Sequence, residues 1–281
     1  MPVSPIVAII VEHDQRKTRS PEKRERYMPD NHLQGRVAVV TGGGVGIGHA
    51  IAKALAAAGA RVVITYRSHE PDSEALAALT ASSGETALAR SLDVTDEAAV
   101  ERFASWLKEE VGGIDILINN AGGLVQRSTI EEMPFSLWRQ VQALNVDSVF
   151  LVTHHLLPLV RDGGGRIVTV SSLAGRNGGH PGATAYATAK AALFGFTRGL
   201  AKEVANRGIT VNALAPGFIE ATPFHATFTT DESKRATIET IPAGRAGLPE
   251  DVASAAVWLA SDGAAFVSGT IVDINGAQYF G

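Results

Sequence analysis

The sequence predicts an α/β fold in a single domain: a doubly wound sheet of seven parallel strands with helices on both faces. Two patterns carry this. Seven short β-branched runs recur along the chain, at 37–41, 62–65, 87–92, 114–118, 166–170, 210–214 and 270–274, and longer Ala-rich stretches separate them. Alternation of this kind builds strand–helix–strand units. The runs are apolar throughout rather than at every second residue, the pattern of strands covered on both faces of a parallel sheet. The stretches between them have helical spacing, as at Ile51, Leu55 and Ala58. Right-handed crossovers then restrict the topology. No linker, repeat or second apolar pattern interrupts the chain, so one domain is expected, with a small helical excursion near 218–245.

Before the first strand, residues 5–11 are apolar but far too short to span a bilayer. No basic segment precedes them, which argues against a signal peptide. Residues 16–26 are rich in charge and read as solvated and disordered. We therefore expect Met28 to be the native start, residues 1–32 to be an extension that is disordered or not native, and residues 33–281 to form the catalytic domain. The composition excludes several chemistries. With no cysteine among 281 residues, disulfides, thiolate catalysis and Cys-ligated zinc are ruled out. His154 and His155 are adjacent and diverge on a helix, so no metal site is expected. With a net charge of −4, no basic excess argues for nucleic acid.

The first strand runs directly into Gly42-Gly43-Gly44-Val45-Gly46-Ile47-Gly48. Glycine lets a backbone turn tightly and approach a pyrophosphate without a Cβ clash. The N-terminus of the following helix supplies free N–H groups and partial positive charge. The spacing Gly42-x3-Gly46-x-Gly48 differs from the general dinucleotide fingerprint, yet its place at the first strand–helix turn favours cofactor binding over a purely structural turn. The second strand ends in Tyr66-Arg67-Ser68. An acid there would accept from a ribose 2′-hydroxyl, whereas Arg67 is placed to pair with a 2′-phosphate. This favours NADP(H), with NAD(H) the alternative; a solvated surface arginine is the plainer reading. Asp93, after the third strand, is a candidate acceptor from an adenine amino group or else a turn acid, with Thr95 or Asp96 better placed to cap the next helix.

Tyr186 and Lys190 stand four residues apart in a helical stretch and share one face. A free phenol titrates near 10. A nearby ammonium, together with the positive oxidised nicotinamide, would favour the phenolate and make Tyr186 a usable proton donor and acceptor. The fifth strand ends in Ser171-Ser172, where a hydroxyl can hold a substrate oxygen as charge develops on it; serines at strand ends also cap turns. A serine nucleophile is the rival chemistry, but no G-x-S-x-G motif occurs. Asn119-Asn120-Ala121-Gly122 follows the fourth strand, and Asn145 falls inside an amphipathic helix where asparagine is mildly unfavourable. Either a functional reason or a satisfied buried amide explains it.

These segments, in this order, resemble the short-chain dehydrogenase/reductase family. The resemblance runs from about residue 34 to the C-terminus and rests on 41–48, 119–122, Asn145, Ser171-Ser172, Tyr186 with Lys190, and Pro216-Gly217. It implies a Rossmann fold and transfer of a hydride between nicotinamide and a carbonyl or alcohol carbon. It implies a tetrad of Asn145, Ser172, Tyr186 and Lys190, with Lys190 also on the nicotinamide ribose and Asn145 holding a water of the proton relay. The implied cofactor contacts are Gly42, Gly44, Val45, Gly46, Ile47, Gly48, Arg67, Ser68, Asp93, Val94, Asn120, Ala121, Gly122, Tyr186, Lys190, Pro216, Gly217, Ile219 and Thr222. Three positions depart from the pattern. Val45 stands where many NADP-preferring members carry a basic residue. Ser172 and Tyr186 are fourteen positions apart, one more than is common. The threonine expected after Pro216-Gly217 is displaced to Thr222.

Substrate identity is weakly encoded. Leu173, His180, Phe218, Phe224 and Phe228 are expected to cover the substrate, with His180 a loop residue. The subgroup most resembled is the 3-oxoacyl-thioester reductases; sugar, polyol or other alcohol dehydrogenases are the alternative. A dinucleotide-binding regulator without catalysis is a second class on the same fold, and a hydrolase a distant third. The resemblance further suggests a cytoplasmic homotetramer, with a homodimer the alternative, built through helices near 134–160 and 184–206 and the C-terminal strand.

Overall fold

A computed structural model describes residues 32–220, 222 and 230–281. Seven parallel strands form one sheet: β1 (Val37–Val40), β2 (Arg61–Tyr66), β3 (Leu88–Ser91), β4 (Ile116–Asn119), β5 (Arg166–Val170), β6 (Thr210–Pro216) and β7 (Ile271–Ile274). Their order across the sheet is β3-β2-β1-β4-β5-β6-β7. The chain winds outward from β1 in one direction, then returns to β4 and winds outward in the other, so the crevice between β1 and β4 is the switch point at which such sheets bind ligands.

The helices are α1 (Gly46–Ala57), α2 (Ser73–Ser83), α3 (Glu97–Val111), α4 (Phe135–Gln142), α5 (Ser148–Leu156), α6 (Ala174–Asn177), α7 (Thr184–Glu203), α8 (Asp231–Glu239) and α9 (Pro249–Ala260). A π-helical turn, Ala143–Asp147, joins α4 to α5. The strand runs expected from β-branched content all form, with small shifts at their ends. Ile114 is held outside β4 by an isolated bridge to Val160, and β6 extends to Pro216, which pairs with Ile274.

Successive side chains of a strand point to opposite faces, and each face here has its own core. Ala38, Val40, Ile64, Ile116 and Ile118 pack with Ile51, Leu55, Val252 and Leu259 of α1 and α9. Val37, Val39, Val63, Leu117 and Ile167 pack with Phe103, Leu107, Leu156 and Leu200 of α3, α5 and α7. This two-sided cover is the reason the strands lack polar alternation. Asp72, Asp96 and Thr230 cap α2, α3 and α8 through their side chains.

The expectation that Met28 begins the native chain, and the placements of Phe224 and Phe228, lie outside the described residues. Among the described residues no group of three His, Asp or Glu could hold a metal ion, and no helix is long and apolar enough to cross a membrane.

Candidate active site

A cavity of about 690 Å³ opens at the carboxyl ends of the strands and crosses the β1–β4 crevice, within the range of small-molecule and cofactor sites. Its floor is the turn between β1 and α1. Gly42, Gly44, Val45, Gly46, Ile47 and Gly48 all line it. Two of these glycines are fixed by close approach. A Cβ on Gly48 would lie 2.3 Å from the Gly42 carbonyl oxygen, and one on Gly44 2.6 Å from that of His69. Val45 precedes α1 in an extended conformation without a side-chain cap, and the first turn of α1 carries no acid. That combination leaves helix-terminal N–H groups at a cavity wall, where an anion is favoured.

The two sides of the crevice are tied together. Thr41 Oγ1 accepts from the N–H groups of Asn120 at 3.0 Å and Ala121 at 3.1 Å. Asn120 Nδ2 donates to the carbonyls of Thr41 at 2.9 Å and Gly42 at 3.1 Å. Asn120, Ala121 and Gly122 line the cavity, while Asn119 is buried behind them and donates to Thr153 Oγ1. Asn120 is therefore both a wall residue and the clamp of the glycine turn.

At one end of the cavity stand Arg67, Ser68, Asp93 and Val94. Asp93 Oδ1 accepts from the Thr95 hydroxyl at 2.7 Å and the Thr95 N–H at 2.9 Å. These bonds hold its carboxyl below the usual carboxylate range, and the Arg67 guanidinium adds a smaller effect in the same direction. Asp93 thus acts as a turn acid while still facing the cavity, and Asp96 caps α3. The nearest carboxylate after β2 is Glu70. It does not line the cavity; it bonds the Tyr66 hydroxyl and raises that phenol above its ordinary value. His69, whose Nδ1 lies 3.3 Å from Ser68 Oγ, joins this end.

At the other end, Ser172, Tyr186 and Lys190 converge. Ser172 follows β5, and its Oγ accepts from the Ala174 N–H at 3.1 Å and is hydrogen-bonded to Tyr186. Lys190 Nζ sits 5.7 Å from the centre of the Tyr186 ring and donates to the Val170 carbonyl at 2.9 Å. Ser171 instead donates to the Lys190 carbonyl at 2.7 Å, which ties β5 to α7 and leaves Ser172 as the hydroxyl bonded to Tyr186.

Burial sets the titration of this pair. Tyr186 keeps part of its surface open to the cavity, yet burial pushes its phenol up to about 12, and the Ser172 bond lowers it only partly. Burial depresses Lys190 to about 8. Desolvation is the larger cause, so Tyr186 is a neutral phenol near neutral pH.

Asn145 has the satisfied amide that was one of its two readings. It is fully buried and does not line the cavity. Its Nδ2 donates to the carbonyls of Gly123 at 2.8 Å and Val141 at 2.9 Å, and its Oδ1 accepts from the Gly123 N–H at 3.0 Å. The side chain anchors the segment after β4 to the π turn. A Cβ on Gly122 would lie 2.8 Å from Asn145 Oδ1 and 3.1 Å from Lys190 Nζ. Asn145 therefore stands just behind the other three.

Pro216, Gly217, Ile219 and Thr222 line the cavity beside this end, as do Leu173, His180 and Phe218. The sequence did not reveal Arg127, Asn177, Ser233, Thr237 and Gln278, which also line it. They come from segments separated by tens of residues and belong to no local motif.

A family model described as enoyl-(acyl carrier protein) reductase matches residues 43–276. The 3-oxoacyl-(acyl-carrier-protein) reductase FabG of Haemophilus influenzae is 40% identical over 248 residues, spanning 88% of this chain and 99% of that protein. The enzyme of the same name from Escherichia coli K12 is 38% identical over 249 residues, with 88% and 99% covered. The chain belongs to the short-chain dehydrogenase/reductase family. Among solved structures, levodione reductase superposes with a TM-score of 0.80 at 33% identity, covering 87% of this chain and 98% of its own.

As a family member the chain is an NAD(P)-dependent oxidoreductase acting on CH–OH groups, and its cofactor is a nicotinamide dinucleotide. The residues present fit that group. The cavity is long enough to join Arg67 to Tyr186, glycines occupy the positions where a Cβ would close the turn, and the uncapped start of α1 faces the middle of it.

Proposed function

We propose that the chain is an NADP(H)-dependent ketone reductase whose substrates are 3-oxoacyl thioesters, with Asn145, Ser172, Tyr186 and Lys190 as its working set. One observation carries this reading: the Tyr186 phenol, bonded to Ser172 and stacked beneath Lys190 Nζ, faces the cavity that begins at the glycine turn. The preference for NADP(H) over NAD(H) is supported by Arg67 at the cavity and by the withdrawal of Glu70 onto Tyr66. The substrate class is supported by the names of the relatives at 38–40% identity.

The nicotinamide, when bound, supplies the hydride and, once oxidised, a positive charge. Everything else falls to the chain. The glycine turn and α1 bind the pyrophosphate, while Arg67 and Ser68 hold the 2′-phosphate. Asp93 and Val94 flank the adenine; Pro216, Gly217, Ile219 and Thr222 flank the nicotinamide. Ser172 and Tyr186 donate to the ketone oxygen and polarise it. Tyr186, a neutral phenol at rest, delivers the proton to that oxygen. Lys190 orients the ribose and, as an ammonium, favours the phenolate that remains. With the Asn145 amide fully engaged, its part in a relay falls to its main-chain carbonyl. Leu173, His180 and Phe218 form the described substrate wall.

Tyr186→Phe keeps the ring and removes the proton. We expect kcat for reduction of a 3-oxoacyl thioester to fall by at least about 100-fold, with the NADPH Kd changed less than threefold. Wild-type turnover in this variant, followed at 340 nm, would rule out Tyr186 as the acid. We also read residues 33–281 as the catalytic domain of a cytoplasmic homotetramer. The exposed Phe135 and Phe150 on α4 and α5 and the half-exposed edge strand β7 support the assembly, which light scattering measures directly.

A further inference from the structure

The substrate end of the cavity carries a cation that the reduction itself does not use. Arg127 lines the cavity on the segment after β4. Its guanidinium is steadied, because Nη1 donates to the Pro181 carbonyl at 3.3 Å. The loop it leans on is stitched to its own segment by the Ser128 N–H donating to the Gly182 carbonyl at 3.1 Å. That loop ends at Ala183, whose carbonyl accepts from the Ala187 N–H in the first turn of α7, so the rim leads straight into the helix turn that carries Tyr186. Among the described residues Arg127 forms no ion pair, although six other arginines and one lysine do. Among the described residues the one carboxylate that lines the cavity is Asp93, at the Arg67 end. The loop beside Arg127, residues 177–183, holds no acid and lines the cavity with Asn177, Gly179, His180 and Ala183.

An unpaired guanidinium on a fixed rim, facing a cavity without a neighbouring acid, is a ready partner for an oxyanion, which it can bind with two parallel N–H bonds. We propose that Arg127 is a specificity-determining residue that binds an anionic group on the substrate, a carboxylate or a phosphate, outside the ketone held by Ser172 and Tyr186. This rests on the ketone-reductase reading above and adds the charge class of what is reduced.

Two matched pairs test it and separate the two sources of negative charge: acetoacetate against methyl acetoacetate, and 3-oxobutyryl-4′-phosphopantetheine against 3-oxobutyryl-pantetheine. In at least one pair the wild-type protein should favour the charged member. Arg127→Gln should cut the charged-to-neutral ratio of kcat/KM by about tenfold, the effect of losing one charge-assisted contact, and Arg127→Lys should restore part of it. The carboxylate pair responding points to a keto acid, the phosphate pair to a pantetheine-borne acyl group. The same ratio in wild type and Arg127→Gln for both pairs would overturn the proposal. Calorimetry reads the contact without turnover, using 3-hydroxybutyrate and its methyl ester, and pantetheine with and without its 4′-phosphate, on the NADP+-loaded protein. A binding preference for an anion that vanishes in Arg127→Gln, with no ketone ever turned over, would sustain the Arg127 site and sink the reductase reading. Turnover with no anion preference in either assay would do the reverse.

Discussion

Lys190 is 4% exposed, and among the described residues no carboxylate pairs with it; its Nζ bonds only the Val170 carbonyl. Holding a charge there is costly, which is why the ammonium titrates at about 8 instead of 10.5. The unfolded chain binds more protons at this group between those two values, so its contribution to stability rises with pH across that window. The charged-state penalty is about 3 kcal/mol below pH 8. We expect wild type to gain about 2 kcal/mol in urea-unfolding free energy between pH 7.5 and 9.5 relative to Lys190→Met; parallel curves for the two proteins would contradict the burial argument. Tyr186 works in the opposite sense, because its raised value removes stability only as pH climbs from 10 towards 12. The identity of this pair was legible as four-residue spacing on a helix. The direction of the phenol's shift was not, since spacing reports proximity and says nothing of how much water the fold removes.

At the scale of elements, the glycine turn between β1 and α1 allows little room. A Cβ on Gly48 would press on the Gly42 carbonyl at 2.3 Å and on Asn120 Nδ2 at 2.4 Å, both rigid. Gly48→Ala should therefore destabilise the fold by about 1–3 kcal/mol, the usual cost of overpacking, and weaken NADPH binding at least about tenfold, read by a melting curve and by fluorescence titration. An unchanged Kd would mean that the turn relaxes freely. The strands and this turn were legible because β-branched runs and glycines act locally. The π turn was not. It arises where the buried Asn145 amide bonds the Val141 carbonyl one turn back and also grips Gly123, a tertiary contact that widens a helix which sequence alone reads as continuous.

For the whole molecule, the doubly wound order and the two cores, one on each face of the sheet, followed from the apolar strand pattern. The cavity wall did not, because Arg127, Thr237 and Gln278 reach it from three distant segments. Ligand binding to the native state alone raises global stability, by about 2.7 kcal/mol at a hundredfold excess over Kd. That is a melting shift of about 5–10 °C for a chain of this size. NADPH should produce it, NADH at equal concentration should produce less, and Arg67→Ala should bring the two together; equal shifts in wild type would remove Arg67 from cofactor selection.

The hydroxyl of Thr41 and the amide of Asn120 lace β1 to β4 through the chain's own groups. A crevice held by four bonds of its own resists remodelling. A stiff floor of this kind lowers the ordering cost that docking a long, flexible ligand carries.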